Sequence, residues 1–130
     1  IYNETRAEFG EIAYRRWREP KFMGPMDAPD GYARLTGTCG DTMEIFLKFE
    51  NDRVVAASFM TDGCGPSVVC GSFAAELAGG KSPEELADFN GDMILDIVGG
   101  LPKDHEHCAF LSAETVKRAL DDYMGRTVRR

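Results

Sequence analysis

The chain has 130 residues, of which 43% are hydrophobic, so residues 1–130 are expected to fold as one domain around one core. With 28% charged residues and no apolar run near the roughly 20 residues that cross a bilayer, a membrane-spanning or wholly disordered chain is excluded. The net charge of -7 argues against a nucleic-acid partner. No secretion signal opens the chain, so the cytoplasm is the expected compartment.

The N-terminal third is predicted to contain one helix followed by a loop. Apolar residues recur at helical spacing from Phe9 to Trp17, which predicts an amphipathic helix over 7–17. Prolines and glycines follow closely after it, so Glu19 to Thr36 is predicted to be a linking loop.

The middle of the chain has the pattern of a β-hairpin. Apolar and polar residues alternate from Met43 to Phe49, although Phe46 interrupts the polar face. Asn51 and Asp52 supply turn chemistry before a second strand predicted over 53–60.

Helices are predicted to fill the remainder of the chain. The predicted helices cover 67–78, a segment that starts at the Ser82 cap and runs through Phe89, a short stretch over 93–98, and 108–124 with its end near Gly125. One helix, a strand-rich middle and several helices favour an α+β fold, with helices packed on an antiparallel sheet.

Three of the four cysteines lie at predicted element ends, beside glycine or histidine. Cys39 precedes the first strand in Gly-Thr-Cys-Gly-Asp, Cys64 precedes a helix in Gly-Cys-Gly, and Cys108 follows His107. The N-terminus of the following helix is expected to lower the pKa of Cys64. Asp41 and His107 add further donors of the kind that bind metals.

Cys70 differs from these three because it lies within the predicted helix 67–78, in an apolar run, and a core position is expected for it. Thiolates with an imidazole or a carboxylate suit either tetrahedral zinc or a [2Fe-2S] cluster, and the spacing does not choose between them. The absence of C-x-x-C knuckles indicates that such a site is assembled on a folded domain.

Four segments, in their order and in the gaps between them, resemble the IscU/NifU-type iron–sulfur cluster assembly scaffold family. They are Gly37 to Met43, Gly63 to Gly65, Leu101-Pro102 and His107-Cys108. The similarity extends from Trp17, Pro20 and Gly24 into the last helix. It implies an α+β fold with a small antiparallel three-stranded sheet packed against several helices. Where many bacterial members have Leu-Pro-Pro-Val-Lys, a loop read by an Hsp70-type chaperone, this chain differs, so dependence on that chaperone is left open.

The resemblance also implies a function and its site. A cysteine desulfurase would supply sulfide, and a cluster, [2Fe-2S] by preference, would form on Cys39, Cys64 and Cys108 before transfer to apo iron–sulfur acceptor proteins. Asp41 or His107 would complete the ligand set, and Asp41 would ease release. The protein would be a scaffold rather than an enzyme, and a homodimer is left open.

Two other functions compete with the scaffold. In the first, the same thiols bind zinc and the protein accepts sulfur. In the second, Cys64 and Cys70 form a redox pair, although their spacing is not that of C-x-x-C enzymes.

Overall fold

The computed structural model describes residues 2–38, 40–63 and 65–129, with side chains described between 10 and 126. The elements in chain order are α1 (Tyr2–Arg18), β1 (Gly31–Thr36), β2 (Thr42–Glu50), β3 (Arg53–Thr61), α2 (Gly65–Ala78), α3 (Pro83–Ala87), α4 (Gly91–Val98), a 3-10 turn (Lys103–His105) and α5 (Glu106–Arg129). The three strands form one antiparallel sheet with β2 in the middle. The α+β fold with a three-stranded antiparallel sheet is therefore confirmed.

The predicted hairpin is confirmed as β2 and β3. Asn51 and Asp52 both adopt left-handed backbone angles, with φ of 52° and 58°. Two consecutive residues with positive φ are what a tight hairpin turn requires, and Asn and Asp tolerate that conformation better than most residues.

The loop prediction for Glu19 to Thr36 is wrong over its last six residues, which form β1. This strand pairs with β2 from Gly31 opposite Leu47 to Thr36 opposite Thr42. It contains few long aliphatic side chains, so its strand conformation depends on pairing and on helix packing that local periodicity does not reveal.

The core lies between one face of the sheet and the helices. Helix α5 packs on β1 and β2, α2 packs on β3 and α5, and α4 packs on α5. The alternating residues of β2 point into this core, as predicted, and Phe46 is covered on the other face by Tyr32, with ring centroids 5.1 Å apart. The largest fully buried apolar side chains are Phe59, Phe89, Met43, Ile45, Leu47, Leu86, Ile94 and Val116.

The start of α3 is confirmed, whereas its predicted end is wrong. Ser82 and Glu85 form a reciprocal capping box, in which each side chain bonds the other residue's backbone N–H. The helix ends at Ala87 instead of continuing through Phe89, because Asn90 already caps α4. Phe89 is fully buried in the link between them.

The last helix continues past its predicted end at Gly125. A glycine inside a helix costs about 1 kcal/mol relative to alanine, which weakens a helix without terminating it. Arg126 offsets part of this cost by pairing with Asp122, one turn earlier, at 2.8 Å and by donating to the Pro29 carbonyl.

Helix α1 is longer than predicted and is interrupted at Gly10, where φ is 86° and ψ is 170°. Beyond this break, Arg16 fixes the helix to α2 by donating to Ser72 and Glu76 and by lying 3.8 Å over the Phe73 ring. In the described part of the chain, no helix has both the length and the apolar character to cross a membrane.

Candidate metal centre

The β1–β2 loop forms one wall of the candidate site. The Gly37 amide donates to the Asp41 carbonyl at 2.8 Å, and the Gly40 amide donates to the Gly37 carbonyl at 3.0 Å. The Thr36 and Thr42 hydroxyls, 2.9 Å apart, close the base of the loop. These bonds fix the position of Asp41 at the end of the sheet.

The β3–α2 link lies beside this loop and is bonded to it. The Thr42 amide donates to Oδ1 of Asp62 at 2.8 Å, and the Thr61 hydroxyl donates to the Thr42 carbonyl at 2.7 Å. The Gly63 amide in turn donates to the Thr61 hydroxyl at 3.0 Å. The segments on either side of Cys39 and Cys64 are thus held together by side-chain hydrogen bonds.

Ser67, in the first turn of α2, connects this pair of loops to α5. Its hydroxyl donates to Oδ2 of Asp41 at 2.8 Å and lies 3.6 Å from Sγ of Cys108. Ser67 is 1% exposed and Cys108 is 3% exposed, so the contact between the hydroxyl and the thiol is shielded from water. A carboxylate and a thiol from distant parts of the sequence therefore share one hydroxyl.

His107 and Cys108 lie side by side in the first turn of α5. Nε2 of His107 is 3.7 Å from Sγ of Cys108, while the rest of the histidine side chain is exposed. The pair offers an exposed imidazole beside a buried soft sulfur donor. His105 is half-buried in the preceding 3-10 turn.

Gly63 is required for the contact between Asp41 and Ser67. A Cβ atom at this position would lie 2.4 Å from Oγ of Ser67 and 2.8 Å from Oδ2 of Asp41. Both distances are shorter than van der Waals contact, so any side chain would push the two oxygens apart.

Cys70 is a core residue, as predicted. It is fully buried within the main apolar cluster. Burial raises the pKa of its thiol well above the ordinary value, and the neighbouring Cys108 raises it further. A protonated, inaccessible thiol is a poor metal ligand.

The described part of the candidate ligand set is Asp41, His107 and Cys108, with Asp41 linked to Cys108 by Ser67. Cys39 and Cys64 lie outside the described residues. Within residues 2–38, 40–63 and 65–129, no three Asp, Glu, His or Cys side chains gather closely enough to hold a metal ion.

Sequence reasoning missed Ser67. The available signal is its polarity in the otherwise apolar first half of α2, three residues after Cys64. A lone serine near a helix start is common as a capping group, and for that reason the signal is weak.

Sequence comparisons identify a protein family and related proteins. The family model for the NifU-like N-terminal domain matches residues 9–130. An iron-sulfur cluster assembly scaffold protein IscU of Archaeoglobus fulgidus is 32% identical over 116 residues, covering 88% of this chain and 76% of that protein. An iron-sulfur cluster assembly protein IscU of Plasmodium falciparum is 35% identical over 126 residues, covering 94% of this chain and 76% of that protein.

Solved structures share the fold. The N-terminal NifU-like protein of Brucella abortus superimposes with a TM-score of 0.72 at 15% identity, over 93% of this chain and 97% of that one. A putative iron-sulfur cluster assembly scaffold protein for the SUF system of Fervidobacterium islandicum gives the same TM-score at 18% identity, over 89% of this chain and 98% of that one. From the family model and these relatives, the chain belongs to the NifU-like N-terminal domain family.

Proposed function

We propose that this protein is a scaffold on which an iron–sulfur cluster is assembled and from which it is transferred to apo-proteins. The cluster is cargo, and the protein carries out no turnover of its own. A cysteine desulfurase supplies the sulfur as a persulfide, and an external electron donor such as a thiol reductant reduces it to sulfide. The cluster is of the [2Fe-2S] type, and residues 1–130 act as one cytoplasmic scaffold domain. The ligands in this proposal are Cys39, Cys64 and Cys108, with Asp41 or His107 in the fourth position.

The observation that carries the proposal is the chain of contacts from Asp41 through Ser67 to Cys108. Asp41 lies two residues after Cys39, and Ser67 lies three residues after Cys64. Residues close in sequence to all three proposed ligands therefore meet at one point. Membership of a family whose relatives carry the name of cluster assembly scaffolds supports the same function.

The chemistry of the donors suits temporary storage. Thiolates are soft ligands that bind iron–sulfur clusters strongly, whereas a carboxylate is harder and exchanges more readily. A site that mixes the two releases its cargo more easily than a site of four cysteines, and release is what a scaffold requires.

The test is anaerobic reconstitution with ferrous iron, cysteine, a cysteine desulfurase and dithiothreitol as the reductant, followed by absorption spectroscopy and metal and sulfide analysis. Cys39→Ala, Cys64→Ala and Cys108→Ala are each expected to lose cluster loading. Cys70→Ala is the matched control, because it removes a buried thiol of the same helix that follows Cys64, and it is expected to load like the wild type.

Transfer completes the test. Loaded wild-type protein is expected to convert an added apo-ferredoxin to its holo form. A colourless protein that retains stoichiometric zinc and assembles no cluster would contradict the proposal and favour a zinc-binding sulfur acceptor. Loading that depends on Cys70 would contradict the proposed ligand set.

A further inference from the structure

We propose that Ser67 is a positioning residue that holds Asp41 at the metal site and thereby sets the rate of cluster release. This inference rests on the proposed scaffold function and deepens it. It assigns a role to a residue that is not itself a ligand.

The geometry limits what the Ser67 hydroxyl can do. A hydroxyl has one proton to donate, and at 2.8 Å that proton is given to Oδ2 of Asp41. The oxygen of the hydroxyl then faces Sγ of Cys108 at 3.6 Å. Ser67 thus fixes the distance between the carboxylate and the thiol from both sides.

Burial makes this hydrogen bond matter. Water has almost no access to Ser67, since the residue is 1% exposed, so water does not readily replace the hydroxyl if it is removed. With the bond in place, one carboxylate oxygen is occupied and the other is left for a metal. Asp41 is only partly buried, so without the bond its side chain is able to turn toward solvent.

Gly63 supplies independent support. The space beside Ser67 and Asp41 is too small for a methyl group, as the 2.4 Å and 2.8 Å approaches show. The backbone at this position therefore leaves room for the serine–aspartate contact and for little else.

The principal test is a double-mutant cycle on cluster transfer to apo-ferredoxin. Asp41→Ala is expected to slow transfer, because it removes the harder ligand. Ser67→Ala is expected to slow transfer by roughly threefold to tenfold, because this range corresponds to the net free energy of one hydrogen bond. In the Asp41→Ala background, Ser67→Ala is expected to have no further effect, because the residue acts through Asp41.

Ser72→Ala is the matched control. Ser72 lies on the same helix and is fully buried, and its hydroxyl contacts Lys21 and Arg16 instead of the site. It is expected to lose stability to a similar extent and to transfer at the wild-type rate. Gly63→Ala keeps the Ser67 hydroxyl but fills the space beside it, and is expected to behave like Ser67→Ala.

A second readout needs no cluster. Co²⁺ alone is added to the apoprotein under anaerobic conditions, and its d–d absorption bands report the ligand field. The spectrum of Ser67→Ala is expected to move from that of the wild type toward that of Asp41→Ala, while Ser72→Ala leaves it unchanged.

The outcomes separate this inference from the proposed function. A wild-type protein that loads no cluster overturns the scaffold, and the Co²⁺ spectra still test the role of Ser67. Normal loading with equal transfer rates and equal Co²⁺ spectra in wild type and Ser67→Ala overturns the inference alone. An equal effect of Ser67→Ala with and without Asp41 also overturns it.

Discussion

The two ends of the sheet are built by different means. At the turn end, where β2 passes into β3, Asn51 and Asp52 form a local turn, and Tyr123 stacks on Phe49 with ring centroids 3.8 Å apart. At the site end, the β1–β2 loop and the β3–α2 link are joined by side-chain hydrogen bonds such as those of Asp62 and Ser67.

This difference separates stability from function. Apolar packing and turn geometry at one end stabilise the fold, because burial of apolar surface dominates the free energy of folding. Hydrogen bonds at the other end contribute less net stability, and they fix the positions of groups that can bind metal. Substitutions at the turn end should lower the free energy of unfolding and spare cluster chemistry. Those at the site end should impair cluster chemistry and lower the free energy of unfolding less.

The largest loss of stability is expected for Gly31→Ala. A Cβ atom there would lie 2.4 Å from the backbone carbonyl oxygen of Ala119, which no side-chain rotation can relieve. Helix α5 must move away from β1, so the free energy of unfolding should fall by about 2 to 3 kcal/mol, measured by urea denaturation.

Gly79→Ala is the control for this variant. Its Cβ would make an ordinary 3.4 Å contact with the Glu76 carbonyl, and a change within about 0.5 kcal/mol is expected. Equal stabilities of the two variants would show that α5 does not pack against β1 as closely as described. A folded Gly31→Ala protein should still load a cluster.

A smaller loss is expected for Tyr123→Ala, which removes the stacked ring from Phe49. The loss of buried area and of the aromatic pair should cost about 2 kcal/mol in a urea titration. Tyr123→Phe keeps the ring and removes the 2.8 Å hydrogen bond to Asp52, so it should cost about 0.5 kcal/mol. A larger loss for Tyr123→Phe than this would mean that the hydrogen bond, and not the stacking, holds the turn end together.

The smallest change in stability is expected when the pH is lowered and Glu85 in the α3 capping box becomes protonated. Hydrogen bonds from the backbone and side chain of Ser82 hold the pKa of Glu85 below its ordinary value of 4.5, with smaller contributions from the charges of Arg53 and Lys81. A depressed folded-state pKa stabilises the protein above the unfolded value and loses that contribution as the pH falls through the folded value. The stability of wild type relative to Glu85→Gln should therefore decrease below about pH 4.5. An unchanged difference between neutral pH and about pH 3 would contradict this.

Features specified by local sequence were predictable. The Asn51-Asp52 turn, the alternation of β2 and the Ser82 capping box each depend on residues within a few positions of one another, and each is confirmed. Asp41, His107 and Cys108 are candidate donors by residue type and neighbours, and their binding of a metal stays a prediction.

Features specified by distant contacts were not predictable. Strand β1 exists because β2 pairs with it and α5 covers it, and α5 continues through Gly125 because Arg126 is bonded to Asp122 and Pro29. The role of Ser67 depends on contacts across 26 and 41 residues of sequence. No local pattern contains that information.

The burial of Cys70 makes its thiol a probe for the separation of α2 from α5. A thiol with no exposed surface and a raised pKa does not react with alkylating reagents while α2 is packed on α5. Its labelling therefore reports the fraction of time during which these two helices separate. Cys70 and Ser67 both lie on α2. The labelling rate of Cys70 therefore also reports whether the helix that carries the Ser67 hydroxyl stays packed on α5 during cluster loading and release.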